Sequence, residues 1–332
     1  MKKALDMFGE NTMKEVKTKS IKNKTVDFTL EEGQEYLSRY ISPSSCSTLN
    51  SILDKTICGD TFEAIKHLPV NFIDLLIADP PYNLDKDYNG NVFKKTTDAL
   101  YEEYTDKWVS ALMPSLKETA SIYVCCDWKS SDVIRRVLEK YFYIQNRITW
   151  QREKGRGAKA NWKNGMEDIW FATVSKQNYT FNIDDVKIRR KVIAPYRRDG
   201  EPKDWEETSC GNFRDTCPSN FWDDITIPYW SMPENTAHPT QKPEKLIAKI
   251  ILASSNAGNI VFDPFLGSGT TSVVAKKLNR RYVGIEQDPQ YCAWAEYRLE
   301  RAGEEKTIQG YADGVFWERN TSSLQKQKGT NN

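Results

Sequence analysis

Val261-Phe262-Asp263-Pro264-Phe265-Leu266-Gly267-Ser268-Gly269-Thr270-Thr271 is the stretch whose reading decides the fold. An apolar strand ends at Asp263, two glycines form a turn, and a helix follows through Val273 to Leu278. Glycine at such a junction lets the backbone approach a ligand closely where the helix N-terminus begins. Nineteen residues beyond Gly267 stands Glu286, at the end of the next apolar strand, where its carboxylate is placed to accept hydrogen bonds from ribose hydroxyls. Together these form a nucleoside-binding geometry. The two glycines alone also suit a purely structural strand-turn-helix junction, and it is Glu286 at this spacing that favours a ligand. A dinucleotide fingerprint is disfavoured, because Ser272 occupies its third glycine position and Pro264 and Phe265 precede the glycines.

Strands and helices alternate on both sides of this turn. Upstream, a helix started by Pro243 runs to Ser254; downstream, a last helix spans Pro289 to Ala302. Nearer the N-terminus the same texture runs from Thr56, with a helix to about His67, the strand FIDLLIAD, a helix over Tyr101 to Lys117, the strand SIYVCCD, a helix from Val133 to Lys140, and the strand YIQNRITW. EDIWFATV is expected to fold back on that strand as an antiparallel hairpin. The division that follows is an N-terminal extension over 1–50, outside the core, a first half over 51–176, an irregular insertion over 177–237, a second half over 238–303, and a polar tail over 304–332 expected to fray in part. Phe316 and Trp317 are expected to dock on the body.

With 39% hydrophobic and 12% aromatic residues the chain is globular, and a formal net charge of +1 provides no whole-molecule attraction to phosphate. Any basic surface must be local. No apolar run reaches the length of a membrane span and no signal-peptide pattern opens the chain, so no membrane partner and a cytoplasmic location are expected. Seven cysteines without paired close spacings read as reduced thiols, and with only His67 and His238 no metal site is suggested.

The second informative turn is Asp79-Pro80-Pro81-Tyr82, directly after the apolar strand Phe72 to Ala78 and so beyond the carboxyl end of a sheet strand, where α/β proteins bind ligands. Two prolines stiffen it, which suits a carboxylate and a backbone carbonyl aimed at one amino group. A plain Pro-Pro turn with a buried Tyr82 is the competing reading. Asp79-Pro80-Pro81-Tyr82-Asn83-Leu84, then His238-Pro239-Thr240-Gln241-Lys242-Pro243, then Asp263 to Thr270, in that order, resemble the amino-methyltransferases of DNA, which act on N6 of adenine or N4 of cytosine. The order, catalytic motif before cofactor motif, is similar to the beta-group arrangement, and the resemblance spans roughly Thr56 to Ala302.

The resemblance implies a circularly permuted, Rossmann-like α/β fold with a mostly parallel sheet, and S-adenosylmethionine as cofactor. By position it makes Asp79 and the Pro80 carbonyl acceptors for the target amino group, within a turn that Pro81 completes, and Tyr82 the stacking partner of a flipped base. It places Phe265, Gly267, Ser268, Gly269 and Thr270 beside the methionine portion, Asp263 as the residue orienting that loop, Glu286 on the ribose, and Asp60 near the adenine ring. His238, Thr240 and Lys242 would approach the methionine carboxylate, with the Lys242 ammonium as opposite charge. Asp60 and Asp263 suit helix caps equally, and His238 suits a brace for a turn.

Target recognition falls by resemblance on the insertion and on the loop Arg152 to Gly165. The candidate DNA contacts are Arg152, Lys154, Arg156 and Lys159 in that loop, and Arg189, Arg190, Arg197 and Arg198 in KIRRK and YRRDG, interleaved with Tyr196 and Trp205. A solvated structural face is the alternative. Asn83 to Thr97 reads as a mobile lid. The function expected is methylation of adenine N6 in double-stranded DNA, with a homodimer and a cognate restriction endonuclease as partners the family admits. Asp79, where N4-cytosine enzymes usually carry Ser and RNA enzymes Asn, favours adenine; cytosine N4 methylation and a non-catalytic DNA-binding or specificity subunit are the alternatives.

Overall fold

The computed structural model describes residues 20–46, 48–152, 160–193, 196–208 and 211–321. Its centre is an eight-stranded sheet. In chain order the strands are β1 (Lys55–Cys58), β2 (Ile73–Ala78), β3 (Leu116–Cys126), β4 (Tyr143–Gln151), β5 (Met166–Thr173), β6 (Phe221–Trp222), β7 (Ile260–Asp263) and β8 (Arg281–Glu286). Their spatial order is β1-β8-β7-β2-β3-β5-β4-β6. All neighbours are parallel except the two pairs made by β5, which runs antiparallel to β3 and to β4. The expected hairpin is therefore present, in an α/β sheet that is otherwise parallel.

The six helices on this sheet are α1 (Thr61–Ile65), α2 (Asp98–Leu112), α3 (Ser131–Tyr141), α4 (Glu244–Ser254), α5 (Thr270–Lys277) and α6 (Pro289–Glu304). Alternation along the strands divides the core between two faces: Leu75 and Ile77 pack with α4 and α5, while Leu76 and Ala78 pack with α1, α2 and α3. Helix α2 buries Tyr101, Thr105, Trp108, Val109 and Leu112, a helical stripe, and Thr97 caps it by accepting the Leu100 N–H. It stops at Leu112, and a short 3-10 turn containing Pro114 leads into β3, whose first residue is Leu116 rather than the expected Ser121.

Two expectations about the periphery need correction. From residue 20 the N-terminal stretch is not outside the core: Cys46 is fully buried, Val26 bridges to Thr236, and the Phe28 carbonyl accepts the Trp294 indole N–H at 2.9 Å. The insertion is not wholly irregular, because Ile188–Lys191, Glu206–Thr208 and Gly211–Thr216 form a five-stranded sheet with Tyr311–Ala312 and Val315–Trp317. The tail is accordingly ordered through this region, with Phe316 and Trp317 buried as expected. These strands are short and bury few apolar side chains each, so alternation along the sequence is too brief to register. Residues 1–19 and 322–332 lie outside the described residues. No helix among the described residues is long and apolar enough to cross a membrane.

Candidate active site

Strands β2 and β7 lie side by side in parallel, Leu75 opposite Val261 and Leu76 opposite Phe262. From β7 the chain crosses through α5 to β8 on one side, whereas β2 leads through α2 to β3 on the other. This is the switch point of the sheet, where strand ends open a crevice. The turn after β2 carries Asp79 to Tyr82 and the turn after β7 carries the glycine loop, so two motifs far apart in sequence line one cleft.

The glycine loop is held from several sides. Asp263 is buried; its Oδ1 accepts the Phe265 N–H at 2.9 Å and its Oδ2 accepts the Thr271 hydroxyl at 2.6 Å. Both bonds tie it to the loop, and burial pushes its carboxyl up to about 7. Gly269 caps α5 at φ +87°, where a Cβ would stand 2.6 Å from that of Ala295. Gly267, at φ +56°, lies against the His238 ring, and its N–H donates to Glu286 Oε2 at 2.8 Å. Phe265 packs edge-on against Trp108, and the Ser268 carbonyl and Thr270 hydroxyl accept Arg298 Nη1 at 2.7 and 3.1 Å. Arg298 was not legible in the sequence, because an arginine in α6 resembles any solvated helix residue until its burial is known.

Glu286 ends β8 facing the cleft, with Oε1 accepting the Asp288 N–H, and burial pushes it up to about 7. Asp60 is exposed at the cleft and caps α1 by accepting the Glu63 N–H at 3.0 Å, so the cap reading and the lining position are both realised. His238 meets Tyr291 edge-on at 4.5 Å, and its Nδ1 accepts the Thr240 N–H at 3.4 Å; burial lowers its imidazole to about 3, which keeps it neutral. It is a wall and a brace. Tyr88, Tyr104, Tyr291 and Phe62 complete the lining and were not singled out by any motif.

The catalytic turn holds a charge cluster that the sequence motifs did not foreshadow. Lys242 Nζ donates to Asp79 Oδ2 at 2.6 Å and to the Tyr82 hydroxyl at 3.1 Å, and stands 3.4 Å from Glu167 Oε2. The Tyr82 hydroxyl in turn shares its proton between Asp79 Oδ1 at 2.9 Å and Glu167 Oε2 at 3.2 Å. Arg152 pairs with Glu167 Oε1. Loss of solvent raises the Asp79 carboxyl, an effect the Lys242 ammonium opposes. Desolvation alone would lower Lys242, but Asp79 and Glu167 raise it on balance, so it stays charged. A buried ammonium must be paired, and the partners of Lys242, which also lines the cleft, are Asp79 and Glu167. The Tyr101 hydroxyl fixes the Pro81 carbonyl at 3.0 Å, while among the described residues no donor is bonded to the Pro80 carbonyl.

Within Asn83 to Thr97, the segment read as a mobile lid, Lys86–Tyr88 pairs with Asn91–Phe93 as a small hairpin. Buried Asn83 ties its base through the Thr96 N–H and carbonyl, and the Asn89 side chain donates to Asp288 Oδ2 at 2.9 Å. The hairpin brings Tyr88 over the cleft.

The basic candidates are mostly neutralised. Arg189 makes a bidentate pair with Asp215 at 2.7 Å, Arg190 pairs with Glu318 at 3.1 Å, and Arg197 pairs with Glu207 at 2.9 Å while lying over Trp205. Arg189, with 12% of its side chain exposed, joins strands of the small sheet rather than offering charge. Arg198 is 76% exposed beside Asp199 at 3.8 Å. Lys154, Arg156 and Lys159 lie outside the described residues.

Fold and cleft together define an α/β enzyme that holds a nucleoside-bearing ligand against an acidic, proline-stiffened turn. The chain belongs to the DNA methylase family, whose model matches residues 73–297. It is 36% identical over 248 residues to the type II methyltransferase M.HpaI of Haemophilus parainfluenzae, covering 74% of each chain. It is 34% identical over 255 residues to the DNA adenine methyltransferase YhdJ of Escherichia coli strain K12, covering 75% of this chain and 83% of that one. Among solved structures, a SAM complex of M1.HpyAVI aligns with TM-score 0.51 at 24% identity over 74% of this chain and 98% of that chain. PvuII DNA methyltransferase, described as cytosine-N4-specific, aligns with TM-score 0.55 at 18% identity over 75% of this chain and 90% of that chain. At such identities the structural likeness speaks to fold alone.

Proposed function

We propose that this DNA methylase transfers a methyl group from S-adenosylmethionine to the N6 amino group of an adenine flipped out of double-stranded DNA. The observation that carries the reading is the adjacency of the Asp79 turn and the glycine loop at the ends of neighbouring parallel strands, lining one cleft. Adenine is supported by Asp79 itself and by the relation to an enzyme named for adenine.

The cleft residues fit the cofactor. Its loop has no room for side chains at Gly269, its aromatic walls suit a purine, and Glu286 faces the cleft with a carboxylate whose lone pairs exceed its backbone hydrogen bonds, leaving capacity for ribose hydroxyls. Bound there, the cofactor supplies an electrophilic methyl on a cationic sulfonium. Asp79 and the Pro80 carbonyl accept the two amino hydrogens, which draws nitrogen towards a tetrahedral, more nucleophilic form. Tyr82 stacks on the extruded base and offsets part of the cost of unpairing it. The surplus proton leaves through Asp79 or water.

Phosphate contact is assigned to exposed Arg198 and to the segment with Lys154, Arg156 and Lys159, and Arg189 is removed from that role by its pairing with Asp215. A homodimer, a cognate restriction endonuclease and a cytoplasmic location belong to this reading, and light scattering at working concentration tests the first of them. The decisive experiment is transfer of labelled methyl to unmethylated genomic DNA, with nucleoside analysis and an Asp79→Ala control. N6-methyladenine that disappears in the control is expected; N4-methylcytosine would overturn the adenine assignment, and no incorporation would point to a binding module.

A further inference from the structure

Glu167 is the first acidic residue of EDIWFATV, on β5, and only 3% of it is exposed. Its placement beside the catalytic turn depends on the antiparallel pairing of β5 between β3 and β4. One oxygen lies 3.4 Å from Lys242 Nζ and 3.2 Å from the Tyr82 hydroxyl, and the other is held by Arg152. Lys242 therefore stands between two carboxylates, Asp79 at 2.6 Å and Glu167 at 3.4 Å. Two carboxylates and two cations make a cluster of zero net charge within the wall of the transfer site.

We propose that Glu167 is a positioning residue that brings the cluster of Asp79, Lys242 and Arg152 to zero net charge, so that the site presents no net positive field to a cationic methyl donor. The inference rests on the methyl-transfer reading given above. The physical reason lies in where charge sits during the reaction. The amine lone pair forms the new N–C bond as the S–C bond breaks, and that bonding pair stays on sulfur. Sulfur thus passes from cationic to neutral, and the amine carries the positive charge until it gives up its proton. An uncompensated ammonium nearby opposes both the cation that enters and the cation that forms, and in a site of low dielectric this opposition is strong. Lys242 keeps Asp79 ionised and aimed, but Lys242 and Arg152 together exceed the single charge of Asp79, and that excess would repel the donor. Glu167 resolves this conflict by supplying the second negative charge, and through the Tyr82 hydroxyl it also holds the stacking ring in place.

The test compares binding of two ligands differing in the sulfonium: S-adenosylmethionine, cationic at sulfur, and S-adenosylhomocysteine, the neutral thioether. Dissociation constants are measured by titration calorimetry for the full chain. Glu167→Gln keeps the shape and removes the charge, and is expected to weaken S-adenosylmethionine by about tenfold while the thioether changes less than about twofold. Glu167→Asp, which keeps the charge, is expected to restore most of the preference. Arg152→Gln, which removes a positive charge from the same cluster, moves the ratio in the opposite direction and carries the test should the glutamine variant fail to fold. Equal weakening of both ligands, or an unchanged ratio in the variants that fold, overturns the proposal. A wild-type chain that binds neither ligand overturns instead the methyl-transfer reading beneath it.

Discussion

Asp263 is a carboxylate whose two oxygens are both committed, one to the Phe265 N–H and one to the Thr271 hydroxyl, in a place water does not reach. Burial outweighs these bonds and pushes it up to about 7, against about 3.9 for an aspartate in an unfolded chain. The sign of the linkage follows: between these values the folded state binds the extra proton, so this contribution is full below about 4 and is lost as pH rises through about 7. The thermal midpoint is therefore expected to fall between about pH 5 and pH 8 in scanning calorimetry. Asp263→Asn should flatten that fall, and Glu286, also raised to about 7 by burial, should preserve the remainder. A midpoint that rises over the same interval in the wild type would contradict the assignment. At this scale the sequence singled out the residue, while its burial and raised carboxyl followed only from the layers packed around it.

The glycine loop and α5 act as one element, because Gly269 is both the helix cap and the point of closest approach to α6. An alanine there meets two obstacles: φ of +87°, which L-residues rarely adopt, and a Cβ 2.6 Å from the Ala295 Cβ. Gly269→Ala is expected to cost about 1–3 kcal/mol of stability, read from denaturant melts, and to abolish high-affinity binding of S-adenosylmethionine. Unchanged stability would mean that α5 and α6 can part without loss. The loop was readable in the sequence because a glycine between an apolar strand and a helix has few other uses. The hairpin over Asn83 to Thr97 was not, since its order depends on Asn83 and on a contact from Asn89 to Asp288 far along the chain.

Across the whole molecule the insertion and the tail form one small sheet, with Phe316 pairing beside Ile188 and Trp317 beside Arg189. The Trp317 carbonyl also receives the buried Lys245 ammonium, which together with Lys249 pairs with Asp224 at 2.7 and 2.6 Å. A chain ended at residue 304 would forfeit the burial of both aromatics, about 3–6 kcal/mol in all, and strip from Ile188–Lys191 the two strands, Val315–Trp317 and Tyr311–Ala312, that continue the sheet beyond it. Rapid proteolytic cleavage between residues 188 and 216 in that truncated chain is expected, against slow cleavage in the intact one; equal rates would show the insertion to be self-sufficient. By itself the sequence determined the α/β class, the order of the catalytic and cofactor halves, the antiparallel hairpin and the residues of both turns. Each of these is written in local patterns: apolar runs, prolines and glycines at strand ends, and an acid at a set distance. Only the tertiary structure decided that Lys242 faces Asp79 and Glu167, that Arg189 and Arg197 are neutralised, and that the tail completes the insertion. Ion pairing and strand addition join residues tens to hundreds of positions apart, and the energy of a buried charge depends on which partner folding brings to it.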